Sequence, residues 1–215
     1  MRGLGRAVLV CALVCSGASS VRATLVNFDD LDELQGWGVN GPIPNEYAGL
    51  NWSLFHWYDG QWLGTVIGPN GFTNGVVSPT NVAYNIDAQY NPDVFSDDYF
   101  DFNGAYFTAY SNDNLNLDVV GYRDGSPVYS QTLTLSALAP TWLQADYLQI
   151  DKLHFIPYGG TTHPPGYETS NGIFAMDNFT YNESAPPVPE PTTFALFAVG
   201  MVAVVGMLGT RRRSK

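Results

Sequence analysis

The sequence predicts an all-β fold, an antiparallel β-sandwich with jelly-roll-like wiring. Three observations predict it. Gly, Pro, Asn and Asp interrupt the middle of the chain every several residues. With 22 Gly and 14 Pro in 215 residues, there are too many breakers for long helices. The runs between them alternate apolar and polar residues with period two. No central run shows the three-to-four spacing of a good amphipathic helix.

The chain opens with Arg2 and Arg6, the apolar run Ala7 to Val14, then small residues ending in Val21-Arg22-Ala23. This is the pattern of a secretory signal peptide over residues 1–23, cut after Ala23. The run is too short to span a bilayer as an anchor. Both cysteines, Cys11 and Cys15, lie inside it, and neither follows a small residue as a lipoprotein cysteine should. The exported part therefore holds no cysteine, and its fold must rest on packing, with or without a metal ion.

Residues 24–183 form the predicted ectodomain, a comfortable size for one domain with one core. Its only bases are Arg123 and Lys152, against nineteen carboxylates. Such a surface repels nucleic acid and anionic lipid and attracts cations. The first strands are expected at Leu25 to Phe28 and Leu50 to Leu54. Aromatic residues then crowd together: Tyr47, Trp52, Phe55, Trp57, Tyr58 and Trp62. Asp59-Gly60 reads as a hairpin tip that exposes Trp57 and Trp62. Further strands are expected at Val82 to Ile86, Phe100 to Phe102 and Tyr106 to Tyr110.

The clearest hairpin comes next. Leu115, Leu117 and Val119 alternate with Asn114, Asn116 and Asp118, and Arg123-Asp124-Gly125-Ser126 supplies Asp-Gly turn chemistry before a second alternating run. Leu148 to Ile156 and Phe174 to Tyr181 close the domain as strands.

Three kinds of site are candidates in this domain. The first is glycan binding at Trp57, Tyr58, Asp59 and Trp62. A sugar ring stacks its C–H face on an indole, while neighbouring Asp or Asn fixes its hydroxyls. The competing role for these aromatics is the core, where Trp and Tyr mostly end up. The second is calcium. Asp29, Asp30, Asp32 and Glu33 crowd one short segment. Asp177 and Asn178 would join them if the first and last strands pair. Calcium takes six to eight oxygens at about 2.4 Å. The competing role for Asp177 is capping backbone amides. The third is catalysis, and it is the weakest. His56, His154 and His163 are scattered without zinc spacing. No Gly-x-Ser-x-Gly elbow is present. Glu46 and Glu168 carry no mark of a glycosidase pair. The expectation is therefore a protein that is not an enzyme, with a glycoside hydrolase as the remote alternative.

After the domain, Pro186, Pro187, Pro189 and Pro191 make residues 184–191 a stiff, extended spacer. Thr192 to Thr210 then contains no charge and is rich in Phe, Leu, Val and Met. At about 1.5 Å per residue this is a short transmembrane helix over residues 192–210. Arg211, Arg212, Arg213 and Lys215 hold residues 211–215 on the cytoplasmic side.

Val188-Pro189-Glu190-Pro191, the apolar run and Arg211-Arg212-Arg213 come in the order and spacing of a PEP-CTERM sorting signal, which this tail closely resembles. That resemblance implies processing by an exosortase, a membrane-embedded cysteine transpeptidase of Gram-negative bacteria that recognises Pro189, Glu190 and Pro191. It implies an exported, envelope or extracellular destination after transient anchoring in the inner membrane. Because exosortase systems accompany exopolysaccharide production, it also implies an extracellular polysaccharide partner. A looser resemblance, to carbohydrate-binding-module jelly rolls, rests on Phe28-Asp29-Asp30-Leu31, Tyr47-Ala48-Gly49-Leu50-Asn51-Trp52 and Phe174-Ala175-Met176-Asp177-Asn178-Phe179. It implies adjacent first and last strands with a structural calcium between them.

Overall fold

The structure is a computed structural model, and it describes residues 23–31, 39–87, 90–163 and 172–182. The signal segment, the spacer, the apolar run and the terminal arginines lie outside the described residues. So do Asp32, Glu33 and Glu168. Among the described residues no helix is long and apolar enough to cross a membrane. All of them belong to the unit that ends at Glu183.

The unit is an antiparallel β-sandwich. Its strands are β1 (Thr24–Val26), β2 (Asn40–Pro42), β3 (Asn51–Ser53), β4 (Phe55–Asp59), β5 (Asn81–Asn85), β6 (Asp93–Ala109), β7 (Asn112–Arg123), β8 (Ser126–Leu135), β9 (Thr141–Thr162) and β10 (Phe174–Tyr181). Along the sheet the order is β2-β4-β5-β10-β6-β9-β7-β8, with β1 on β10 and β3 on β6. The last strand is therefore central. It pairs with β5 and β6 and also with β1, Thr24 opposite Tyr181 and Val26 opposite Phe179.

The expected hairpin is present between β7 and β8, with Arg123 opposite Ser126. Asp124 and Gly125 both take positive φ, 50° and 74°, as a two-residue turn matched to strand twist requires. The expected strands at Phe100 to Phe102 and Tyr106 to Tyr110 are one strand, β6. The one expected from Leu148 begins at Thr141. Bulges explain how such long strands stay within one domain. β6 and β9 lose register between Phe95 and Phe100, and again between Phe102 and Gly104. Each added residue bends its strand and lets it serve both layers.

Two short helices were not expected: α1 (Gly60–Ile67) and α2 (Gly71–Gly75). The supposed hairpin tip at Asp59-Gly60 is the start of α1. The Asp59 carboxylate accepts from Trp62 N at 2.8 Å, and Asn70 Oδ1 accepts from Phe72 N and Thr73 N at 2.9 and 3.1 Å. Both are N-caps, worth about 0.5–2 kcal/mol each. Gly60 is needed for close packing: a Cβ there would lie 2.7 Å from the Phe72 carbonyl oxygen.

One main core fills the sandwich. Phe28, Trp52, Phe55, Trp57, Phe102, Phe107, Phe155, Phe174 and Phe179 are all buried in it, many in edge-on contacts such as Trp52–Phe179 at 5.3 Å and Phe55–Phe155 at 5.5 Å. A smaller cluster, Leu63, Phe72, Val82 and Ala175, lies where α1 and α2 cover the outer face of the sheet.

Candidate functional site

The structure separates the four residues expected to bind glycan. Phe55 and Trp57 are buried while His56 and Tyr58 between them are partly exposed. Trp57 is 0% exposed, so the expectation of an exposed Trp57 is corrected: the phase of β4 turns it into the core. Its indole Nε1 has no hydrogen-bond partner there. Asp59 is the cap of α1, so its carboxylate is committed to the backbone. Trp62 is 41% exposed and stacks with Tyr58, ring centres 6.4 Å apart and planes at 30°. Gln61 ties the start of α1 to the chain before β5 through the Pro79 carbonyl, 2.5 Å away.

Two of the acidic residues expected to hold calcium, Asp29 and Asp177, bind the same loop, residues 77–81. Asp177 is fully buried. Its Oδ2 accepts from Val77 N and Ser78 N at 2.7 and 2.8 Å, and its Oδ1 from Asn178 N and Ser78 Oγ at 2.6 and 2.9 Å. Burial pushes this carboxyl up from its ordinary range, against those donors. Asp29 Oδ1 accepts from Thr80 N, Asn81 N and Thr80 Oγ1 at 3.0, 2.9 and 3.2 Å. Two carboxylates thus hold one loop by four of its amides. Asp30 stands apart and accepts from the Tyr47 hydroxyl at 2.5 Å. Burial, followed by that bond and the Asp30 charge, raises the Tyr47 hydroxyl far above its usual value. Asp30 and Tyr47 line an open groove of about 450 Å³ with Leu25, Pro44 and Glu46. Among the described residues no three His, Cys, Asp or Glu side chains gather as a metal site. Two buried oxygens nevertheless lack partners, Asp29 Oδ2 and Asn178 Oδ1.

Two of the three histidines pair with carboxylates. His154 Nδ1 lies 2.6 Å from Asp93, and His163 pairs with Asp113. The His163 contact draws the Asp113 carboxyl below its ordinary range.

Sequence reading passed over one surface cluster. In the first part of β9, Trp142, Gln144 and Asp146 are exposed while Leu143, Ala145 and Tyr147 are buried. Trp142 Nε1 donates to Gln144 Oε1 at 3.1 Å, and Tyr106 of β6 stands opposite it with ring centres 5.0 Å apart. The signal was available: residues 142–148 alternate with period two, with the one tryptophan on the polar side.

The sequence matches no curated protein. Two solved structures show some similarity. One is a DUF4465 family protein from Bacteroides caccae, 12% identical, with a TM-score of 0.47, covering 77% of this chain and 88% of that one. The other is a DUF4465 family protein from Bacteroides ovatus, also 12% identical, with a TM-score of 0.40 and coverage of 59% and 71%. The decisive match is at the other end of the chain, where Pro189, Glu190, Pro191 and the three arginines fall. Residues 187–213 match the PEP-CTERM protein-sorting motif, which makes this an exported, envelope-sorted protein processed by an exosortase.

Proposed function

We propose that the exported sandwich is a non-catalytic glycan-binding protein of the cell envelope or extracellular matrix. The observation that carries this reading is the exposed Trp62 stacked with Tyr58 at the head of α1. A paired aromatic surface of this kind suits the C–H face of a sugar ring. The sorting motif supplies the context, because it delivers the domain to the cell envelope, where a matrix polysaccharide can meet it. The test is retention of the full chain on matrix polysaccharide. Trp62→Ala should lose it with the fold intact. No retention of the wild type on any matrix glycan would leave a purely structural surface protein. Release of reducing ends would instead make it a hydrolase.

A structural calcium ion is a second element of this reading, favoured by the two orphan oxygens. Buried unpaired polar atoms cost about 1–3 kcal/mol each, and a cation bound at Asp29 Oδ2 or at Asn178 Oδ1 would relieve that cost there. Its other ligands would have to come from main-chain carbonyls and water. Chelation should then lower the melting temperature, and an unchanged melt removes the ion from the account.

A further inference from the structure

We infer that Tyr106, Trp142, Gln144 and Asp146 form a second sugar platform, one that takes an uncharged pyranose chain on the open outer face of the sheet. Exposure of one tryptophan proves little, since single exposed apolar side chains are ordinary. What sets Trp142 apart is how firmly its ring is held. Nε1 is fixed by Gln144 Oε1, and Gln144 Nε2 in turn donates to both Asp146 oxygens at 2.9 Å. Three alternate residues of one strand thus form a polar chain that orients a partly exposed indole.

The strand beneath makes room for the ring. Gly104 of β6 lies under the indole, where a Cβ would come within 2.7 and 3.0 Å of two ring carbons. Gly104 stands between two bulges. On one side β10 takes three steps, Asp177 to Thr180, against two of β6, and Asn178 adopts φ 49°. On the other β9 takes three steps, Gln144 to Tyr147, against two of β6, and Asp146 adopts φ 50°. Positive φ at Asn and Asp is a tolerated but deliberate conformation, and bulges re-aim side chains at functional surfaces. The Asp146 bulge falls within the polar chain itself.

The chemistry selects the ligand. An indole held in one orientation with a tyrosine beside it stacks on the apolar face of a pyranose. A carboxylate oxygen keeps lone pairs after one bond, so Asp146 can take sugar hydroxyls in short, strong bonds. The cluster contains no cationic side chain to pair with a uronate or a sulfate. In the whole ectodomain only Arg123 and Lys152 stand against nineteen carboxylates. An anionic polymer is therefore repelled.

The experiment is affinity electrophoresis of the detergent-solubilised full chain through gels holding hydroxyethylcellulose, xyloglucan or galactomannan, with alginate as the anionic counterpart. At least one neutral gel should retard the wild type, and alginate should not. Trp142→Ala should weaken retardation roughly tenfold or more, as loss of a central aromatic anchor does. Gln144→Ala, which frees the indole without removing it, should weaken it less, and it decides the matter if Trp142→Ala fails to fold. Passage through every neutral gel, equal retardation by alginate, or unchanged retardation of both variants overturns the proposal. Loss with Trp62→Ala alone would also overturn it while leaving the Tyr58–Trp62 site standing.

Discussion

Residues 47–62 and residues 141–148 carry their aromatics in opposite ways. The first segment is crowded with six aromatic residues, yet Trp52, Phe55 and Trp57 are core. The second is inconspicuous and has one tryptophan, but that tryptophan is partly exposed and anchored. Density of aromatics reports the demand of a disulfide-free core for large side chains. Phase along the strand reports which of them meet solvent. Phe55 is plainly a core residue, and period two then commits Trp57 to the core as well.

The comparison can be broken most sharply at Trp57. Trp57→Ala should cost about 3–5 kcal/mol, read as a lower denaturation midpoint, and a cost near zero would mean that β4 is out of phase. Asp177→Ala comes next. It strips the partners from Val77 N, Ser78 N and Asn178 N and should cost about 3 kcal/mol, at about 1 kcal/mol for each of these partly buried amides. Trp142→Ala, by contrast, should stay within about 0.5 kcal/mol of wild-type stability, even though it removes a larger side chain than Asp177. The smallest effect sits at His56, on the outer phase of β4 beside Trp57. Burial lowers its pKa from 6.5, so the unfolded chain takes up the proton first as pH falls. The fold should lose stability below about pH 6.5. Denaturation midpoints at about pH 7.5 and about pH 5.5 should differ less in His56→Gln than in the wild type.

Much of the architecture was legible because its determinants are local. The β7–β8 hairpin follows from strict alternation and one Asp-Gly turn, and Asp124 and Gly125 adopt the dihedrals that chemistry calls for. The helices were not legible. Asp59 and Asn70 are cap residues and turn residues alike, and only the packing of Gly60 against Phe72 decides between the two. The insertion of β9 between β6 and β7 is also invisible along the chain, since period two sets a strand's faces without naming its neighbours. For the candidate site, Trp62 and Tyr58 were found by composition. Trp142 was missed because the strand was begun at Leu148. The carboxylates of Asp29 and Asp177 were singled out as calcium ligands, but the partners they have are amides of a loop about 50 and 100 positions away in the chain.

The central place of β10 bears on how such a protein reaches its destination. β1, β5 and β6 all pair with a strand that is made after every one of them. The sheet cannot close while the chain is still being threaded through a translocon, since its keystone has not yet emerged. Long-range pairing of this kind is slow to nucleate, so the domain's fold waits on its last strand.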